Sequence, residues 1–546
     1  MSWNWPRLPA TVPHADLIGV LNTRLPLVNV EFKKLDALQT GDFVHNVKNP
    51  LYGAVGDGVT DDAAAIQRAI DAAELVSGAV FIPPGTYVIS TTLVNDAPIQ
   101  IYGPGVITQA NGTDLATLVE VELPGPDTQD VQIHLTVNGN RDNNTAVLGV
   151  SLDGVRKLSG RVDITAIECD TGVAIEGNSE RSTFRCMVHD CGVGVIERAK
   201  GGTTPDENSV EVYGSDCTTF YEKQSSGIQI TSTVVVHTEG ASSTPIVITG
   251  GDTRLGGILR GLTVGGVSID TGDVDFLALR LYGADTANSV GLVVEDDTLI
   301  TGQLYMRDFE SAAWIKGGTH GGSLRLVAES LSGDTGLRIG DEANATRLDF
   351  FTLLPGSKIQ LTNAGGWSID VENAISCVFY LDRVGAGGAC RFQDPAGGAA
   401  QLCALYLNAS ESDHLVTDSE GSNYVIYRGS VTDTMRGNIP SPGTGWMIEH
   451  ASGDDAPNFY AGGAWRALPL INANGTATLA NGATTVVVTH GLGVTPDIQD
   501  ISVTPIEAWG TATQFWINTP TSTQFTINVD TDPGQDVDFA WTASVQ

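Results

Sequence analysis

Positive charge is what this chain has least of: 29 lysines and arginines stand against 64 aspartates and glutamates, a formal net charge of −35. Such a surface repels phosphate backbones and anionic lipid, which excludes nucleic acid and membrane surfaces as partners. Long apolar runs are missing too. No stretch approaches the roughly 20 residues that span a bilayer. The N-terminus, MSWNWPRLPATVPHADL, lacks the basic-then-apolar order of a signal peptide. The cysteines number seven, with neither CxxC spacing nor a His/Cys metal cluster. Cys169, Cys186, Cys191, Cys217, Cys377, Cys390 and Cys403 mostly fall in or beside expected strands. They read as small buried thiols of a protein made in a reducing cytoplasm.

Glycine (64 residues), threonine and aspartate are plentiful instead, a composition of turns and short strands. The stretch from Leu51 to Gly103 organises the rest. A glycine-rich loop leads to one amphipathic helix, with Thr60 expected as N-cap and Asp61 and Asp62 in the first turn. Ala63, Ile66, Ala69, Ile70 and Ala73 share one apolar face, and Gly78 ends the helix. Ala79–Ile82 and Thr86–Ile89 are expected strands either side of the turn Pro83-Pro84-Gly85. A lone helix feeding strand, turn and strand suits a lid on the end of a sheet stack.

From about residue 80 to 430 two words repeat. One alternates apolar, variable, apolar: Val162-Asp163-Ile164, Phe184-Arg185-Cys186, Val210-Glu211-Val212, Leu277-Ala278-Leu279, Leu304-Tyr305-Met306, Leu324-Arg325-Leu326 and Leu348-Asp349-Phe350 among others. The second begins with glycine: Gly172-Val173-Ala174-Ile175, Gly227-Ile228-Gln229-Ile230, Gly266-Val267-Ser268-Ile269, Gly291-Leu292-Val293-Val294, Gly336-Leu337-Arg338-Ile339 and Gly366-Trp367-Ser368-Ile369. Each returns after roughly 20 to 30 residues, the length of one solenoid coil. Sandwiches and barrels also use short alternating strands but need no fixed period. The expected fold is all-β: a right-handed parallel β-helix over 46–432, capped by one N-terminal helix.

Three flanking segments complete the organisation. Residues 1–45, with Trp3, Trp5 and several prolines, have no core of their own and read as either a disordered segment or an extended arm that buries its tryptophans against a partner. Residues 433–470 are rich in proline and glycine and read as a connector of tight turns. Residues 471–546 alternate as antiparallel strands of a small C-terminal β-sandwich, whose modest core would gain from docking against its own copies.

The words Tyr52-Gly53-Ala54, Gly56-Asp57-Gly58, Asp61-Asp62-Ala63, Ala65-Ile66-Gln67, Ala69-Ile70 and Phe81-Ile82-Pro83-Pro84-Gly85-Thr86-Tyr87 together resemble the start of a pectate-lyase-type parallel β-helix, common in bacteriophage tailspikes and polysaccharide-degrading enzymes. The connector and the block Thr484–Gly493 resemble parts of phage tail proteins. These resemblances imply a homotrimeric tailspike or tail-fibre protein in the virion tail, made in the host cytoplasm. Its arm 1–45 would anchor to a tail or baseplate protein, its body would attach to host-surface polysaccharide, and its C-terminal module would bind receptor or hold the trimer. Depolymerase activity is an open addition. The alternatives are a free pectinase-type lyase or hydrolase and a purely structural virion component.

Paired carboxyl groups for glycosidic chemistry sit about 5–5.5 Å apart for retention and about 6.5–9.5 Å for inversion, and adjacent coils are about 4.8 Å apart. Asp270 and Glu295 follow equivalent words one coil apart and are the candidate catalytic pair. Two other readings stand beside it. Lys316 occupies the equivalent place one coil on, which makes an exterior ion pair. Asp273, Asp296 and Asp297 crowd near, which suits a Ca2+ held by oxygen ligands. On the other face Arg280, Tyr282, Tyr305, Arg307, Arg325 and Asp349 form a candidate substrate strip, where rings stack on sugars and arginines bind hydroxyl or carboxylate groups. A solvated face or a subunit interface would carry the same residues. The Asn-Thr-Asp, Asp-Asp and Gly-His-Gly series of the polygalacturonases is missing, and Gly453-Asp454-Asp455 lies in the connector. No catalytic residue therefore carries over from those enzymes.

Overall fold

The computed structural model describes residues 43–545, apart from 124–130, 146, 157–161, 225–231, 242–243, 296–297, 317–319, 341–347, 364, 373, 382, 385–387, 394–402, 409–415, 419–422, 432–445, 452–457, 462–463 and 468–471. The arm expected over 1–45 thus lies almost wholly outside the described residues, as does the word at Gly227. The described chain divides into two compact bodies, one reaching Leu405 and the other running on from Tyr424, with the residues between shared out.

The helix spans Ala63–Glu74 and buries Ala63, Ala65, Ile66, Ala69, Ile70 and Ala73, the expected apolar face with one alanine more. That face packs on the strands Val44–Asn46, Ala79–Phe81, Thr86–Ile89 and Leu93–Asn95. Its N-cap position is Asp62 rather than Thr60. The Asp57 carboxylate accepts the backbone N–H of Thr60 at 2.7 Å and its hydroxyl at 2.9 Å, which holds Thr60 in the strand Asp57–Asp61. The Asp62 carboxylate makes no cap bond. It accepts the N–H groups of Val55 (2.7 Å) and Gly56 (2.9 Å) and so pins the glycine-rich loop to the helix start.

Beyond the helix the first body is a parallel β-solenoid. One sheet has 14 strands in strict order from Leu93–Asn95 to Val416–Asp418, each pairing only with the coil before and the coil after. The other sheet advances in parallel register beside it, through strands such as Val162–Ile167, Thr183–His189 and Ser209–Cys217. Side chains of one parity stack inward. On the 14-stranded sheet one such column reads Leu152, Ile175, Glu197, Lys223, Ile248, Ile269, Val294, Ile315, Ile339, Val371 and Phe392, every member buried. The glycine words serve close approach: a Cβ on Gly266 would meet the Gly291 carbonyl oxygen at 2.4 Å. All seven cysteines are buried thiols.

Two of the alternating words are out of phase. Leu277 and Phe350, expected inside, are exposed, while Phe276 and Phe351 take the core positions. Ala278 (φ 55°) and Phe350 (φ 59°) adopt left-handed backbone. The strand Val274–Gly283 there carries one extra residue against both neighbours: Phe276 and Leu279 oppose Gly302 and Leu304, while Gly256 and Ile258 oppose Leu277 and Arg280. This is a β-bulge, and its extra residue exchanges inside for outside along the rest of the strand.

In the second body Asn472–Leu479, Val537–Ser544 and Ile501–Pro505 form one antiparallel sheet. Thr485–Thr489, Gln524–Val529 and Phe515–Ile517 form another. One core joins them, with Leu479, Phe525, Ile527, Phe539 and Trp541 in it. The Phe525 and Trp541 rings meet edge to face at 5.7 Å. Within the expected connector, Asn458–Ala461 and Ala464–Ala467 pair as an antiparallel hairpin, so this stretch holds strands as well as turns.

Candidate glycan-binding groove

The bulge at Ala278 decides what the sheet shows to solvent. Past it, Leu279 and Leu281 point into the core, and Arg280 and Tyr282 therefore point out. The next coils supply their neighbours by register. Arg280 opposes Tyr305, which opposes Val327; Tyr282 opposes Arg307, which opposes Glu329; and Gln303 opposes Arg325. Together they line a groove of ≈ 470 Å³ formed by Ala278, Arg280, Tyr282, Gln303, Leu304, Tyr305, Arg325 and Val327, within the range of ligand-binding clefts.

Its floor is aromatic and its walls are cationic. The Tyr282 and Tyr305 rings lie 5.8 Å apart, tilted at 51°. Arg260 from the preceding coil lies over Tyr282, 4.9 Å from the ring centroid. The Tyr305 hydroxyl donates to the Glu329 carboxylate at 3.0 Å. Burial and that carboxylate together push the Tyr305 pKa up, so the phenol stays protonated as a donor. Arg325 Nε donates to the Gly356 carbonyl at 3.5 Å. Among the described residues neither Arg280 nor Arg325 has a carboxylate within 4.0 Å.

Four of the six residues expected in the substrate strip, Arg280, Tyr282, Tyr305 and Arg325, line this one groove. Arg307 stands in the same outward row but turns to Asp308 at 3.4 Å. The side chain of Asp349 lies outside the described residues. Arg260, Gln303 and Glu329 were missed. The glycines in Leu255-Gly256-Gly257-Ile258 hide the alternation of that coil, although Ile258 opposes Arg280 in the structure.

Asp270 and Glu295 lie on the 14-stranded sheet, not beside the groove. Ile248 opposes Ile269 and Thr249 opposes Thr271, so Asp270 is a bulged, exposed residue passed over by the register. Glu295 accepts Lys316 Nζ through both oxygens, at 2.6 and 2.7 Å, the ion pair that was one of the three readings. Lys316 in turn lies 4.4 Å from the Trp314 ring centroid, with Arg338 at 4.4 Å as well. Asp273 is exposed and accepts the Leu299 N–H at 3.3 Å. Asp296 and Asp297 lie outside the described residues. Among the described residues no three His, Cys, Asp or Glu side chains gather to hold a metal.

Residues 44–119 match the family model described as rhamnogalacturonase A/epimerase, pectate lyase-like. The body is a parallel β-helix whose start matches a pectate lyase-like family model. Mannuronan C5-epimerase AlgE1 of Azotobacter vinelandii is 39% identical over 124 residues, 20% of this chain and 8% of that protein. The chain thus spans only a small fraction of that curated relative. Among solved structures, the A-module of A. vinelandii mannuronan C-5 epimerase AlgE6 covers 70% of this chain and 97% of its own, at 18% identity and a TM-score of 0.34. The gp54 tailspike of Acinetobacter baumannii bacteriophage AP22, solved with A. baumannii capsular saccharide, covers 93% and 97% at 8% identity and a TM-score of 0.34.

Proposed function

We propose that this is a tailspike-type β-helix protein that holds a host-surface polysaccharide in the groove of Arg280, Tyr282, Tyr305 and Arg325. The observation that carries the reading is the groove itself: two adjacent tyrosines offer ring faces, and arginines beside them offer forked donors. Sugar rings stack on aromatic faces, and their hydroxyls take hydrogen bonds from planar guanidinium groups. The reading extends to a homotrimer in a virion tail, docked to a tail or baseplate protein through residues 1–45. Its test is the full chain on an array of bacterial capsular and O-antigen polysaccharides, beside Tyr282→Ala. Binding by the parent, weakened about tenfold or more in the variant, is the expected result. Equal binding by both places the glycan elsewhere on the protein.

A second reading, a polysaccharide-processing enzyme, is favoured by the match of residues 44–119 and by the epimerase relative. It keeps Asp270 and Glu295 as the carboxylate pair. It requires new reducing ends, unsaturated ends or epimerised residues from a bound polysaccharide, lost in Asp270→Asn and Glu295→Gln at unchanged thermal stability. Removing a general acid or base costs typically 10²–10⁴ in rate.

A further inference from the structure

We infer that the groove selects an acidic glycan and seats a sugar carboxylate between Arg280 and Arg325. This deepens the proposed function and rests on the reading of the groove as the glycan site.

Charge bookkeeping across the solenoid leads there. Acidic residues outnumber basic ones by more than two to one, so a surface cation should find a carboxylate wherever it stands. Several arginines of the first body do. Arg141 meets Asp190 at 2.7 Å, Arg198 meets Glu176 at 2.5 Å, Arg338 grips Glu372 at 2.9 and 2.7 Å, and Arg391 meets Asp370 at 2.5 Å. Among the described residues Arg68, Arg185 and Arg254 also stand without one, but singly, whereas the groove gathers three such arginines around two tyrosines. Among the described residues Arg260, Arg280 and Arg325 have no carboxylate within 4.0 Å. The nearby acid, Glu329, is engaged by the Tyr305 hydroxyl. Three cations from neighbouring coils thus stand unpaired on one face of a strongly anionic protein.

Holding like charges together without counter-charge is unfavourable unless something else uses them. A neutral glycan needs donors, but serine, asparagine or glutamine would supply those without the repulsion. A carboxylate-bearing sugar accounts for the cations directly, because guanidinium and carboxylate pair through two parallel hydrogen bonds. The strand carrying Arg280 is two coils from the strand carrying Arg325, roughly 10 Å at the backbone. Both side chains line one groove with Tyr305 between them. One sugar ring on the tyrosine platform can then present its carboxylate to either fork. The anionic bulk of the protein repels the same polymer elsewhere, which sharpens the choice of site.

The test prints each acidic polysaccharide of the array beside its carboxyl-reduced form, with neutral polysaccharides alongside, at fixed ionic strength. The full-length parent should bind one or more acidic polymers and lose at least tenfold in affinity to the reduced partner. Arg280→Gln and Arg325→Gln should each lose a similar factor on the acidic polymer, with unchanged thermal unfolding, and little on the reduced one. Binding confined to neutral polymers, or undiminished by carboxyl reduction, overturns the inference while leaving the groove as a glycan site. Acidic binding untouched by the arginine variants and by Tyr282→Ala overturns the groove reading as well. Absence of binding to every polymer printed overturns both.

Discussion

Among single residues, the most unusual pair lies inside the solenoid. Glu197 and Lys223 oppose each other on adjacent coils in a column that is otherwise apolar from Leu152 to Phe392, and both are fully buried. Each is satisfied locally. Glu197 accepts from Tyr221 (2.5 Å), Ser232 (3.2 Å) and Asn208 (3.3 Å); Lys223 donates to the Asp252 carbonyl (2.6 Å) and to Thr253 (3.1 Å). Burial pushes the Lys223 pKa down, and Glu197 partly offsets this. The two make no direct ion pair within 4.0 Å, but each lies in the other's field, and removing one leaves a buried charge with less counter-charge, at a cost of about 1–3 kcal/mol. Lys223→Met should therefore lower the unfolding midpoint sharply, and Glu197→Gln in the same chain should recover part of the loss. A double variant no more stable than the sum of its single effects would show that the two charges do not act together. This pair was not legible in the sequence, because the Gly-φ-x-φ pattern gives no sign that a charged residue can occupy an inward place. The outward arginines and tyrosines were legible, since alternation assigns them to solvent and their chemistry is particular.

At the level of elements, alternation gives a strand's faces only while its register is unbroken. Val162–Ile167 and Thr183–His189 obey it throughout, and their inward residues follow from the sequence. Val274–Gly283 does not. Its extra residue at Leu277–Ala278 is invisible in an apolar run, where Phe276, Leu277 and Leu279 are equally good core candidates. Looping it out as a bulge lets Phe276, Leu279 and Leu281 all point inward and leaves Arg280 and Tyr282 outside. Deleting Ala278 removes the extra residue and restores plain alternation, with Phe276, Leu279 and Leu281 still inward and Arg280 and Tyr282 still outward, so the fold and glycan binding should both survive. Binding lost at unchanged thermal stability would mean that the groove needs the local bend of the bulge as well as the facing of its side chains. The helix start is a smaller case of the same kind. Thr60 has the right chemistry for a cap, but the Asp57 side chain, three residues away, captures it first.

Across the whole molecule the periodic signal was strong enough to give the architecture, because each coil repeats the same requirement for inward apolar residues and a tight glycine approach. The position of a functional site is a different kind of information. It depends on which coils bring their exceptions together, and in this chain the exceptions are a bulge, two adjacent tyrosines and three arginines that have no acid partner among the described residues. Asp270 and Glu295 satisfied a spacing rule from the sequence, yet they lie on the sheet away from that groove, with Glu295 held by Lys316. The measurement that tests the account most directly is a crystal structure of the full chain soaked with a fragment of an acidic polysaccharide that it binds. The account predicts sugar density against Tyr282 and Tyr305 with a carboxylate within hydrogen-bond reach of Arg280 or Arg325. Density confined to the 14-stranded sheet around Asp270 and Glu295, or to the C-terminal antiparallel sheets, would contradict it.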